Sequence, residues 1–282
     1  MGAALGASFF AGGLTHRLAA ADQAMGYEVK GKIKHSVCKW CYRDISMEDL
    51  CKAAEGIGLS SVEIVGVEDW PTLQKYGLTC AMGNGVSLGI PKGWNAPQYH
   101  EELIKLAEEF IPLAAKYQVP NLIVFSGNRN GMDDETGMIN CAKGLRKIMS
   151  LAEKHKVSIV MELLNSKVNH KDYMCDRTTW GAALVEMVGS DRFKLLYDIY
   201  HMQIMEGDVI RTIQDYHQYI AHYHTGGVPG RHEIDESQEL YYPAIMKAIV
   251  ETGYDGFVGQ EFVPAREDKL ASLAQGVKIC DV

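Results

Sequence analysis

Residues 193–224 read FKLLYDIYHMQIMEGDVIRTIQDYHQYIAHYH, and this stretch holds the unit from which the rest of the chain is built. An apolar run, 193–198, ends on Asp198, a helical segment follows at 209–216, and a second apolar run, 220–224, ends on His224. A strand that is buried on both faces reads as a continuous apolar run, because neither face meets water. Two such runs joined by a helix form a βαβ unit, whose crossover makes the strands parallel.

The same alternation extends in both directions. Upstream, strands are expected at 33–37, 61–65, 78–82, 121–125 and 158–162, and downstream at 256–261. Helices are expected at 46–57, 68–76, 98–117, 136–154, 178–188, 240–251 and 266–278. Ser46 ahead of Glu48 and Asp49 is a helix start, with acids complementing the positive end of the dipole. Leu50, Ala53, Ala54 and Ile57 then fall at helical spacing, and Gly58 supplies the stop. Eight strands, each followed by a helix, in roughly 250 residues favour one closed (β/α)8 TIM barrel, of the α/β class, over an open doubly wound sheet. No GxGxxG follows the first strand, which speaks against a dinucleotide site.

Composition narrows the function. Lysine and arginine total 28 against 36 acids, for a net charge of −8, which is unsuited to holding a phosphate backbone. A small-molecule partner is therefore expected, with no nucleic acid; a homo-oligomer is left open. Seven cysteines cannot all pair within the chain, and Cys38-x-x-Cys41 reads as two small residues after a strand. Residues 1–30 are set apart from the barrel at 31–282. Gly2 to Leu14 is apolar and uncharged, and Ala19-Ala20-Ala21 follows, as in an export leader that lacks its basic start. Such a leader implies an exported or periplasmic protein, whereas a plain tail implies a cytoplasmic one. No other apolar run reaches the ~18 residues of a membrane span.

In a barrel the chemistry sits at the C-terminal ends of the strands. Four successive runs end on charged or ionisable residues: Glu162, Asp198, His224 and Glu261. Three carboxylates and an imidazole converging on the axis repel one another unless a cation joins them. That donor set suits one divalent ion, Mn, Mg, Co or Zn. A single acid at a strand end is more often a salt bridge or a cap; four on consecutive strands are hard to assign to coincidence. Of His222 and His224, which face the same way, His222 is expected one layer down in the core. His35 and Trp40 after the first strand, Glu68 after the second, Asn128 after the fourth and Asn165 after the fifth are further candidates for the pocket wall. Arg231, in a loop of glycines and a proline, is a candidate clamp for an oxyanion or carboxylate.

Two stretches carry a family resemblance. Leu196-Tyr197-Asp198-Ile199-Tyr200-His201-Met202-Gln203 with Met205-Glu206-Gly207, and Met161-Glu162 through Asn165 to Asn169-His170, resemble the hydroxypyruvate isomerase family. The wider group is the xylose-isomerase-like barrels, with their ketose 3-epimerases and inosose dehydratases. The histidine at 224 and the His-Thr-Gly-Gly run are closer to the epimerase branch. The resemblance implies that Glu162, Asp198, His224 and Glu261 bind one metal ion. It also implies that Glu162 and Glu261 are the catalytic acid/base pair, and that His201 and Arg231 contact substrate. The expected reaction is isomerisation or epimerisation of a sugar or hydroxy-keto acid, by proton transfer through a cis-enediolate. A polyol dehydratase starts with the same proton abstraction, and a non-catalytic sugar-binding barrel keeps the same site. A DNA-repair endonuclease on this barrel needs more zinc ligands and a basic rim.

Overall fold

A computed structural model describes residues 27–282, so Gly2 to Ala21, on which the leader reading of the segment 1–30 rests, lies outside the described residues. Seven parallel strands curl into one sheet in the order β2-β1-β7-β6-β5-β4-β3. They are β1 (Lys34–Cys38), β2 (Ser61–Glu63), β3 (Asn121–Val124), β4 (Ser158–Glu162), β5 (Phe193–Asp198), β6 (Ile220–Thr225) and β7 (Phe257–Gln260). Nine α-helices are described: α1 (Met47–Ile57), α2 (Trp70–Lys75), α3 (His100–Lys116), α4 (Asp134–His155), α5 (Thr178–Val188), α6 (Ile199–Met205), α7 (Val209–Tyr216), α8 (Tyr242–Glu251) and α9 (Lys269–Cys280). None of the described helices is long and apolar enough to cross a membrane.

The strand expected at 78–82 is the one element that does not form as such. Its residues nevertheless fill the gap between β2 and β3. Val62 donates to the Thr79 carbonyl at 3.2 Å and Ile64 to that of Met82 at 2.8 Å, while Gly83 donates to Asn121 at 2.8 Å and Ile123 to Gly83 at 3.1 Å. Between these bridges, side chains replace the ladder. The Ala81 N–H donates to Ser61 Oγ at 2.8 Å, and Asn121 Nδ2 donates to the Ala81 carbonyl at 2.9 Å. The backbone polar groups are thus satisfied without regular pairing, and the barrel closes on an irregular eighth stave.

Most of the core lies between the sheet and the helices, and inside the barrel Met82, Ile123, Val160 and Leu196 form a small apolar layer. Side chains alternate along a strand, so Val160 and Leu196 lie one layer below Glu162 and Asp198. The other side of the interior is polar, with Ser36, Glu63 and His222 all fully buried. At the opposite pole, Tyr27 Oη and the Lys30 amide donate to Asp281 Oδ2 at 2.7 and 2.8 Å, tying the segment before β1 to the residue after α9.

Candidate active site

The carboxylates and imidazole at the mouth are set by strand register. Asp198 pairs with His224 across β5 and β6, and Glu162 with Leu196 across β4 and β5. Glu261 follows β7 and continues its ladder by donating to the Thr225 carbonyl at 3.2 Å. Glu162, Asp198, His224 and Glu261 are buried, and each offers a ligand atom within 4.8 Å of the others.

Helix α6 has no counterpart among the helices expected from the sequence, and it explains the Asp-x-x-His spacing. Asp198 is its N-cap: its carboxylate accepts from the His201 amide at 3.1 Å, leaving the other oxygen toward the cluster. His201, three residues on, is thereby brought back beside Asp198. Asn165 then fixes its ring. Asn165 Oδ1 accepts from the amides of Val168 and Asn169, at 3.0 and 2.9 Å, so its amide nitrogen is the group that faces His201. Both that nitrogen, at 2.6 Å, and the Asn165 backbone N–H, at 3.2 Å, point at His201 Nδ1. Nδ1 must therefore be the acceptor, and the ring proton sits on Nε2. Burial and then the charge of Arg231 push His201 well below the usual imidazole range, keeping it neutral.

Arg231 lies in the left-handed region, at φ 60°, and its amide donates to the Gly227 carbonyl at 2.8 Å. Its guanidinium is 5.2 Å from the Trp40 ring and 5.0 Å from that of Tyr200. From there it donates to Asp198 Oδ2 at 2.9 Å and to Glu261 Oε2. Its Nη1 also lies 3.0 Å from His201 Nε2, so two donors face each other there. Trp40 turns its indole N–H onto Glu261 Oε1 at 2.7 Å.

Electrostatically the cluster is dominated by its three carboxylates. Burial, followed by the charge of Glu261, raises Glu162, and burial raises Asp198 well above the usual range against the pull of Arg231. Burial would raise Glu261 as well, but Arg231 and His224 outweigh it and hold that carboxyl well below the usual range. Burial would lower His224, but its closeness to Cys38 and Glu261 outweighs that and raises it well above the usual imidazole range, so Arg231 and His224 together face three carboxylates. His224 Nδ1 is 2.8 Å from Glu261 Oε2 and 3.8 Å from Glu162 Oε1. Despite that proximity it is buried without a hydrogen-bond partner. An unpartnered imidazole nitrogen among three carboxylate oxygens fits the donor set of a hard or borderline divalent cation.

The remaining candidates lie at different depths. Asn128 is on the rim, lining a cavity of about 400 Å³ with Asn169, His170 and Lys171, and the His170 ring is 5.3 Å from that of His201. Glu68 is exposed, with its carboxylate folded back against Gly66. His35 is displaced most. It is the second residue of β1 rather than the residue after it, so it lies toward the opposite pole, with Nε2 3.8 Å from Asp281 Oδ1. Cys38 ends β1, and all seven cysteines are buried free thiols.

Glu63 is absent from the sequence-derived candidates. The strand expected to reach residue 65 ends at Glu63, because Ile64 takes φ 55°, a strained conformation for a β-branched residue. An acid inside an apolar run is the available signal, since a buried carboxylate must have partners.

Comparison with known proteins agrees with this architecture. The chain is 39% identical over 92 residues to a putative hydroxypyruvate isomerase of Drosophila melanogaster, spanning 33% of this chain and only 35% of that protein. It is 26% identical over 234 residues to a 2-oxo-tetronate isomerase of Pectobacterium atrosepticum, covering 79% of this chain and 88% of the relative. Among solved structures, a family 2 AP endonuclease from Brucella melitensis superposes with a TM-score of 0.77 at 22% identity, over 86% of this chain and 98% of that one. At that identity the likeness is one of fold. The sequence profile of the xylose isomerase-like TIM barrels matches residues 71–279, which includes every residue of the four-donor cluster, and the chain belongs to that family.

Proposed function

We propose that this protein is a metal-dependent isomerase or epimerase of a small sugar or hydroxy-keto acid, working by proton transfer between two glutamates and an enediolate. The observation that carries this reading is the convergence of Glu162, Asp198, His224 and Glu261 at one point of the barrel mouth. The naming of two relatives as hydroxypyruvate and 2-oxo-tetronate isomerases supports it.

Those four residues would hold one divalent ion, which supplies Lewis-acid polarisation of a carbonyl and counter-charge for an oxyanion. The side chains do the rest. Glu162 and Glu261 come from strands separated by β5 and β6, so they approach the axis from different sides. One removes the proton next to the carbonyl, and the other returns it. Return to the neighbouring carbon, with the hydroxyl proton passing from one oxygen to the other, isomerises; return to the opposite face of the same carbon epimerises. Glu261 is held for this by the Trp40 N–H on one oxygen and by Arg231 on the other.

His201 Nε2–H and Arg231 Nη1, 3.0 Å apart, are two donors without an acceptor between them. A substrate oxygen bridging them satisfies both, which suits an enediolate oxygen or the carboxylate of a keto acid. The purified protein should interconvert at least one member of a panel of hydroxypyruvate, 2-oxo-tetronate, ketoses and aldoses, and lose that activity after metal stripping. Full activity in stripped protein would overturn the reading, as would activity confined to dehydration.

A further inference from the structure

Beneath the four-donor cluster lies a second buried group, formed by Glu63, His222 and His224. Glu63 Oε1 is 2.6 Å from His224 Nε2 and 2.8 Å from His222 Nε2. Cys38 Sγ donates toward the same oxygen at 3.6 Å. Glu63, His222 and His224 are completely buried, and the two rings pack edge-on with centroids 5.0 Å apart. Nitrogen–oxygen separations of 2.6 and 2.8 Å are direct hydrogen bonds. A carboxylate only accepts, so both histidines must carry a proton on Nε2.

For His224 this has a consequence at its other nitrogen. With Nε2–H engaged by Glu63, a ring that ligates an ion can offer its lone pair only on Nδ1, the atom that faces Glu162 and Glu261. A histidine that binds metal needs such a partner to fix both its tautomer and its ring angle. His222 shares the same oxygen and holds Glu63 in place from below. The neighbouring strand is shaped for the pair: Gly259 lies opposite His224 in the β6–β7 register. A Cβ there would come within 2.5 Å of Glu63 Oε1 and 2.9 Å of His224 Cδ2.

We propose that Glu63 is a positioning residue for the metal centre: it locks His224 in the Nε2–H tautomer with Nδ1 presented to the ion. This rests on the metal-dependent reading above and adds to it a residue outside the ligand set.

The test is Mn2+ affinity, by calorimetry or by electron paramagnetic resonance of free Mn2+, in wild-type protein and E63Q. Histidine 15N NMR of the Zn2+-loaded wild type accompanies it. The proposal expects one Mn2+ per wild-type chain and about 10- to 100-fold weaker binding in E63Q. It also expects a slowly exchanging Nε2–H on His224, with the metal on Nδ1. Unchanged affinity in a folded E63Q would overturn it, as would a proton on Nδ1 of His224 in the Zn2+ form. A second bound ion lost in H222Q would overturn it too, by making Glu63 a ligand. If E63Q does not fold, the NMR result on wild type decides alone. Wild type that binds no Mn2+ or Zn2+ would instead refute the metal reading itself, a result distinct from binding that ignores Glu63.

Discussion

Glu162 and Glu261 differ in surroundings although they share one cluster, and the difference matters for their chemistry. Glu261 has both oxygens engaged, by Trp40 and Arg231, whereas Glu162 depends on burial and the charges around it. Replacement of either by glutamine keeps the shape and removes the proton-transfer capacity. E162Q and E261Q should each lose about 10²- to 10⁴-fold in turnover with unchanged circular dichroism. Wild-type turnover in either would end its role as acid or base. Arg231 offers a sharper discrimination. If it reads a carboxylate, R231K should lower kcat/KM for hydroxypyruvate about 10- to 100-fold more than for a neutral ketose, as expected for a lost charge-assisted pair. Equal losses would show that Arg231 serves the site without selecting anions. The carboxylates are legible in the sequence because each ends an apolar run. Glu63 is hidden by a strand that stops two residues early, and His35 lies away from the mouth because β1 extends three residues past it.

Element boundaries explain most of what the sequence leaves unread. The stave at 78–83 has apolar residues enough to read as a strand, but its pairing at Ala81 is supplied by Ser61 and Asn121. Long-range side-chain partners of this kind leave no local signature. N121A removes the donor to the buried Ala81 carbonyl and should destabilise the barrel by about 1–3 kcal/mol in urea unfolding; no change would mean that the stave does not depend on it. Helix α9 is anchored in a similar way. Glu233 accepts from the amides of Ala265 and Arg266, both at 3.1 Å, and from Ser272 Oγ at 2.8 Å. Burial alone would raise its pKa, but its own backbone N–H, together with these bonds, outweighs it and brings it below the ordinary glutamate value. A lowered folded pKa means stability that is present above the unfolded pKa and lost as pH falls through the folded one. Wild type should therefore be more stable than E233Q at neutral pH, with the gap narrowing on acidification. A gap independent of pH would show that the charge of Glu233 contributes nothing.

At the scale of the whole molecule, the barrel is readable because strand–helix alternation is periodic and repeated, so an error in one element does not alter the count. The site is readable in outline because parallel barrel topology brings all strand ends to one face. Its fine structure, a guanidinium sandwiched between Trp40 and Tyr200 and a carboxylate shared by two histidines, depends on contacts between distant segments. If the three buried carboxylates do hold the proposed ion, its binding should stabilise the fold. Mn2+ at 100-fold over its Kd should add about 2.7 kcal/mol to unfolding, seen as a Tm several degrees higher than in chelator. An unchanged Tm would mean that no such ion is bound. The central claim, however, is proton transfer at carbon, and solvent isotope reports it whatever the product. Mn-loaded and metal-stripped protein would be incubated in deuterated water with hydroxypyruvate, 2-oxo-tetronate and a set of ketoses and aldoses, and carbon-bound deuterium followed by NMR. The account predicts metal-dependent deuterium at the carbon next to the carbonyl, abolished in E162Q and E261Q. Product formation without any solvent deuterium, or incorporation undiminished in both glutamine variants, would contradict it.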